Sequence, residues 1–139
     1  MSYRRILPIE FCHCDPAGIV FYPRYVEMAQ HVVENYFTEV LETPFSQMVA
    51  AGQGVPAARL EFDFRKPSRL GDRLEWVLQV EHIGRSSIRF LLNAEDRLEA
   101  RITVVWIGEG FVPAPLPDPV RKRLQAHHVQ GATAPGDGR

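Results

Sequence analysis

Cysteine is nearly absent from this chain, which has only Cys12 and Cys14, two residues apart. On an extended segment such a pair faces the same way and is poorly placed to bridge. That speaks against a disulfide framework and for a reducing, cytoplasmic setting. Long apolar runs are missing too. No stretch approaches the roughly 18 uninterrupted apolar residues of a membrane span. The opening MSYRRILPIEF carries two arginines but neither the apolar core nor the small-residue cleavage site of a secretory signal. Neither sign of charge is in excess: 16 basic and 17 acidic residues give a formal net charge of -1. The surplus of positive charge that nonspecific nucleic-acid binding needs is therefore lacking. Nor is there a second cysteine pair to complete a metal site with the CHC at 12–14, and His127 and His128 sit near the chain end, so no metal is expected.

What remains is a chain of 139 residues, 45% of them hydrophobic, enough for one compact core and too short for two ordinary ones. One domain is expected over residues 1–130, with 131–139, small and polar, as a flexible tail. Residues 4–11 read as a first strand. After Pro23, which suits a first helical turn, Val26, Ala29, Val33, Tyr36, Phe37 and Val40 recur at three- and four-residue steps, predicting a helix of about five turns with one apolar stripe. Residues 41–54 read as a connection with a short helix. Leu60, Phe62 and Phe64 then alternate with charged residues; so do Leu74, Trp76, Leu78 and Val80, and Ile88, Phe90 and Leu92. A last strand is expected over 98–107, and a short terminal helix capped by Asp118. Short connections favour an antiparallel meander. One strand, one long helix and four strands make an α+β fold, a curved five-stranded antiparallel sheet wrapped around the helix.

The stretch CDPAGIVFYPRY raises the functional question. Asp followed by Pro and Gly is ordinary turn chemistry, and Asp15 has no other duty if that is all it is. Pure turn formation, however, does not call for an apolar IVFY directly afterwards, running into a helix. A helix start has amides without helical partners and positive potential. A carboxylate beside it is placed to attack, or to activate water toward, a carbonyl bound there. Gly18 allows positive φ and close backbone approach, and Pro16 stiffens the turn.

The order of elements, this segment, ENYF in the helix, FRKPSRLGDRLEW and the break at GRSS resemble the hotdog-fold acyl-CoA thioesterases, in particular the 4-hydroxybenzoyl-CoA thioesterase branch, over about residues 4–112. The resemblance implies that Asp15 is the catalytic carboxylate, as nucleophile or general base, and that the backbone N–H of Tyr22 binds the thioester carbonyl. It implies an acyl pocket lined by Val20, Phe21, Tyr25 and Phe45, for a small acyl group, aromatic ones included. Coenzyme A phosphates would be met by Arg85, with hydrogen bonds from Ser86 and Ser87; other basic residues expected at that turn are missing. The implied products are free coenzyme A and a carboxylic acid. Neither metal nor redox cofactor is implied, coenzyme A being part of the substrate, and the implied assembly is a homodimer joined at sheet edges, or a homotetramer.

Several residues carry a plainer reading. Cys12 and Cys14 read as small buried residues near the site, and His13 as facing solvent or tuning Asp15. Glu27 and Glu34 are reserve carboxylates, since another hotdog branch uses a helix Glu, but charges on a helix usually mark its wet side, as does His31. Arg65, Lys66 and Arg69 add charge near a sheet end. Phe45 suits the core as well as a pocket. The alternatives to hydrolysis are a dehydratase or hydratase of the same fold, whose usual His pairing is not found, and a non-catalytic acyl-CoA binder.

Overall fold

The structure, a computed structural model, describes residues 2–128; the expected tail at 131–139 lies outside the described residues. Five strands form one antiparallel, curved sheet: β1 (Tyr3–Pro8), β2 (Ala57–Phe64), β3 (Arg73–Ile83), β4 (Ser87–Ala94) and β5 (Leu98–Val105). Three helices accompany it: α1 (Pro23–Glu39), α2 (Phe45–Ala50) and α3 (Asp118–His127). The alternation in β3, β4 and β5 does what a period of two requires. Leu74, Trp76, Leu78, Val80, Phe90, Leu92, Ala100 and Ile102 are all buried on the face that receives α1. From α1 the buried stripe is Tyr25, Met28, Ala29, Val32, Val33, Tyr36 and Phe37. It is rotated slightly from the expected one, with Val26 and Val40 only half-buried, because Met28 and Val32 complete the row that meets the sheet.

Three expectations are corrected. The first strand stops at Pro8, and Phe11–His13 forms a single 3₁₀ turn instead. Cys12 is therefore exposed and Cys14 half-buried, both free thiols, rather than two buried neighbours on a strand. The turn is locked reciprocally: the Glu10 side chain accepts the His13 amide, and His13 Nδ1 accepts the Glu10 amide at 2.8 Å. His13 is thus a half-buried fastener, not a solvated side chain. At the far end α3 begins one residue early, with Asp118 in its first turn and no side-chain cap.

The third correction concerns topology. Strand order is β1-β3-β4-β5-β2, so β3, β4 and β5 are a meander but β2 does not pair with β3. It pairs with β5, Leu60 opposite Ile102 and Phe64 opposite Leu98. Residues 65–72 cross the end of the sheet to reach β3. Eight residues span up to about 27 Å, ample for three strand spacings of about 4.8 Å. Since β1 takes the edge beyond β3, β2 is left at the opposite edge with little above it. Leu60 and Phe64 stay 48% and 47% exposed although they share the helix-facing side with the core.

Candidate active site

The segment between β1 and α1 is a miniature hairpin. Asp15 N–H donates to Ile19 O at 3.0 Å, Gly18 N–H returns to Asp15 O at 2.9 Å, and Cys14 pairs with Val20. This is a tight turn closed by a residue in the left-handed region, a place Gly18 fills at φ +82. Asp15 Oδ1 also accepts the Ala17 amide at 2.8 Å. Its side chain thus builds the turn and still keeps a second oxygen with no partner among the described residues. Space around Gly18 is open, with nothing within 4 Å of where an alanine Cβ would lie, so the cost of Gly18→Ala is in the backbone alone. That variant should lose about 1–2 kcal/mol, a fall in melting temperature of roughly 3–6 °C, read by a thermal melt.

The crossing segment fastens this hairpin to the sheet. Val20 N–H donates to Ser68 O at 2.9 Å, Leu70 N–H to Gly18 O at 3.2 Å, and Gly71 N–H to Ile9 O at 3.0 Å. Arg97 braces the same segment from below, with Nη1 donating to Pro67 O at 3.2 Å, to the buried Ser68 Oγ at 3.0 Å and to Asp72 Oδ2 at 3.0 Å. The Arg69 amide, and after it the Arg97 guanidinium, hold the Asp72 carboxyl below the usual carboxylate range. A depressed folded-state value makes this brace stabilising while Asp72 is ionised, and the contribution fades as pH falls through that value.

The hairpin delivers the chain to the start of α1 in a way that singles out one amide. Phe21 N–H is spent on His13 O at 2.9 Å, Arg24 N–H on Phe21 O and Tyr25 N–H on Tyr22 O, and Pro23 has no N–H. Tyr22 N–H alone among these has no acceptor among the described residues. It lies at the positive end of a 17-residue helix, where an oxyanion is favoured.

Beside it lies a groove of about 480 Å³ lined by Val20, Tyr22, Tyr25, Phe64, Arg65, Lys66 and Pro67. Three of the expected residues, Val20, Tyr22 and Tyr25, meet here; Asp15, Gly18 and Phe21 are not among its walls in a single chain. Phe64 and Pro67 were not anticipated as site residues, since nothing in their spacing signals that 65–72 crosses the sheet. Arg65 and Lys66 are partly committed elsewhere, to Glu99 at 3.6 Å and Asp96 at 2.6 Å.

The remaining expected residues lie apart. Phe45 packs on Phe37, ring centroids 5.6 Å apart, some 15 residues along α1 from Tyr22, and so belongs to the core of its own chain. Arg85, Ser86 and Ser87 sit at the β3–β4 turn, at the opposite end of a strand of 11 residues, about 35 Å from the Asp15 end. Ser86 O accepts the Trp106 amide at 2.7 Å. Of the reserve carboxylates, Glu34 is exposed, and Glu27 is paired with Arg24 at 3.0 Å. Glu27 and His31 line a second cavity of about 360 Å³ with Leu7, Pro8, Glu10, His13 and Met28.

Glu10, Cys12 and His13 bring possible metal-ligand atoms within 4.8 Å of one another. The His13 ring is already committed, however. With Nδ1 accepting the Glu10 amide, a neutral ring carries its proton on Nε2, which leaves no lone pair there for a cation. The donor set does not fit an ion as it stands. No helix among the described residues is long and apolar enough to cross a membrane.

Comparison with known proteins gives the same architecture. The profile of the thioesterase superfamily matches residues 17–102. A chloroplastic acyl-acyl carrier protein thioesterase of Arabidopsis thaliana is 25% identical over 118 residues, 79% of this chain and 60% of that protein; the chain thus spans about three fifths of that relative's length. The 1,4-dihydroxy-2-naphthoyl-CoA thioesterase of Synechocystis superposes with a TM-score of 0.79 at 18% identity, over 90% of this chain and 96% of that one. A gentisyl-coenzyme A thioesterase does so with 0.78 at 23% identity, over 89% and 99%.

Proposed function

The chain belongs to the thioesterase superfamily, and from that premise we propose that it is an acyl-CoA thioesterase hydrolysing a small acyl-CoA, aromatic acyl groups included, to free coenzyme A and a carboxylic acid. The observation that carries this reading is the lone Tyr22 amide at the start of α1, in the segment to which the Asp15 turn is hydrogen-bonded. The amide would hold the carbonyl oxygen as it gains charge. The free carboxylate oxygen of Asp15 would then act in one of two ways. As nucleophile it bonds to the carbonyl carbon, the C–S bond breaks, and water hydrolyses the resulting anhydride. As general base it takes a proton from the water that attacks the carbon. Either route ends in thiol and acid, and neither uses a metal or redox cofactor.

The aromatic wall of the groove, with Tyr22 and Tyr25 each near Phe64 at ring-centroid distances of 6.3 and 5.6 Å, suits a flat acyl group. The two structural neighbours named above act on aromatic acyl-CoAs, which supports the same choice; the acyl carrier relative favours a second reading in which the thioester is borne by a carrier protein. Both carriers end in the same thiol.

A homodimer is part of the proposal, with a homotetramer as its further pairing. The outer edge of β2 has no partner strand among the described residues, and an open edge with an apolar flank is a pairing surface. Antiparallel pairing of two β2 strands would bring one chain's 85–87 turn to the sheet end where the other chain's Asp15 sits. That arrangement reunites the exposed Arg85 with the thioester site as a phosphate contact. The setting proposed is cytoplasmic and reducing.

The deciding measurement is thiol release from a panel of acyl-CoA and acyl carrier thioesters, with short straight-chain and aromatic acyl groups. Release from the small and aromatic members is expected. Tight binding of intact thioesters would instead identify a non-catalytic binder, and hydration of enoyl thioesters without thiol release would identify a hydratase.

A further inference from the structure

Three buried side-chain polar atoms have no hydrogen-bond partner among the described residues: the hydroxyls of Tyr25 and Tyr36 and the indole N–H of Trp76. Tyr36 and Trp76 sit in the middle of the core. Tyr25 is different, because it is 5% exposed and also forms part of the wall of the groove at the Tyr22 amide. A phenol hydroxyl shut off from water without a partner is destabilising, and the sequence had an obvious way to avoid it. Phenylalanine would fill the same space, pack on Phe64 in the same way and leave nothing unsatisfied. The wall residue seen against the Tyr25 ring is the aromatic Phe64, and no group among the described residues takes the hydroxyl's proton.

We infer that the Tyr25 hydroxyl is a specificity determinant, a donor held for an oxygen atom on the acyl group, so that the groove prefers acyl thioesters bearing a hydroxyl or oxo substituent over the bare acyl group of the same shape. The inference rests on the thioesterase reading above and goes beyond it, since the amide at Tyr22 handles the thioester carbonyl, common to every substrate. Tyr25 reads what differs between them. A buried donor is suited to this task because an acyl group without the matching oxygen leaves it unsatisfied in the complex. Phe64, half exposed on the edge strand and lying at 5.6 Å from the Tyr25 ring, is the side chain whose rotation would open the way.

Tyr25→Phe provides the test, as it keeps the ring and is expected to fold. Matched pairs are compared in wild type and variant: benzoyl-CoA with its three hydroxybenzoyl isomers, and hexanoyl-CoA with 3-oxohexanoyl-CoA. Wild type should favour the oxygen-bearing member of at least one pair, and the variant should lose about tenfold of that kcat/KM ratio, whatever happens to the absolute rates. The Kd ratio for non-hydrolysable thioether analogues should shift likewise. At the same time the variant should melt about 3 °C higher, because the unsatisfied hydroxyl has gone. An unchanged ratio in every pair, or an equal loss for all thioesters, overturns the inference. Failure of wild type to release thiol would sink the hydrolase reading separately, and the analogue Kd ratios would still decide the role of Tyr25.

Discussion

Asp15→Asn is expected to lower kcat for thioester hydrolysis by about 10²–10⁴-fold while leaving the melting temperature within roughly 2 °C of wild type. The two halves of this expectation come from the two oxygens. Oδ1 accepts the Ala17 amide at 2.8 Å, and the amide oxygen of asparagine can do the same, so the turn, the Cys14–Val20 pairing and the Tyr22 amide should stay where they are. What asparagine lacks is a carboxylate oxygen that can attack carbon or take a proton. Binding need not suffer, so the loss should appear in kcat more than in KM. Asp15→Ala separates folding from chemistry in the other direction: it gives up the turn bond as well, with a further cost of about 1 kcal/mol in stability. Single-turnover thiol release and a thermal melt on both variants are sufficient. An Asp15→Asn protein with wild-type rates on every hydrolysed substrate would remove Asp15 from the chemistry and turn attention to Glu27.

Glu81→Leu should destabilise the fold by about 3–5 kcal/mol, the largest stability effect expected for a single change outside the apolar core. Glu81 is the extra residue of a bulge in β3, between Val80 opposite Phe90 and His82 opposite Arg89. Its carboxylate receives Arg89 Nε at 2.8 Å and Arg101 Nε at 3.0 Å, so three strands are tied by one side chain. The Glu81 and Arg89 side chains are 7% and 8% exposed, too little for water to replace the lost carboxylate. Arg101, 37% exposed and also within 3.4 Å of Glu99, can turn outward; Arg89 cannot do so cheaply. Changing both members, Glu81→Leu with Arg89→Met, should recover most of the loss, since a buried pair often contributes little net stability over an apolar replacement. Urea midpoints for the two singles and the double measure this, and equal midpoints for Glu81→Leu and wild type would show that the pair is not needed.

Legibility in the sequence followed the range of the forces involved. Local alternation specified β3, β4 and β5 and their buried faces, because Leu74, Trp76 and Phe90 need only know which side of their own strand is dry. The same signal in Leu60, Phe62 and Phe64 promised a buried face that one chain does not provide: pattern identifies an apolar side, while which strand pairs with which, and what lies above it, depends on the path of residues 65–72. The 3₁₀ turn at Phe11–His13 escaped because three residues have no period, and its fastening by Glu10 and His13 depends on two side chains exchanging bonds with amides. The Asp15 turn was legible through its Pro and Gly. The singular position of the Tyr22 amide was legible only in part: Pro23 announces a helix start, but the capture of the Phe21 amide by His13 O is a tertiary event.

The crossing segment has an effect on how the molecule can move. Riveted to the hairpin by two backbone bonds and to Ile9 by a third, and underpinned by Arg97, it leaves the reactive corner no hinge of its own, so a flap that swings shut over substrate is not available at this place. Admission must instead be a matter of rings turning on a fixed frame, and the loosely held ones, Phe21 at 47%, Tyr22 at 63% and Phe64 at 47% exposure, surround that corner. Such a doorway opens on the fast timescale of rotamers and not on the slower one of loop closure.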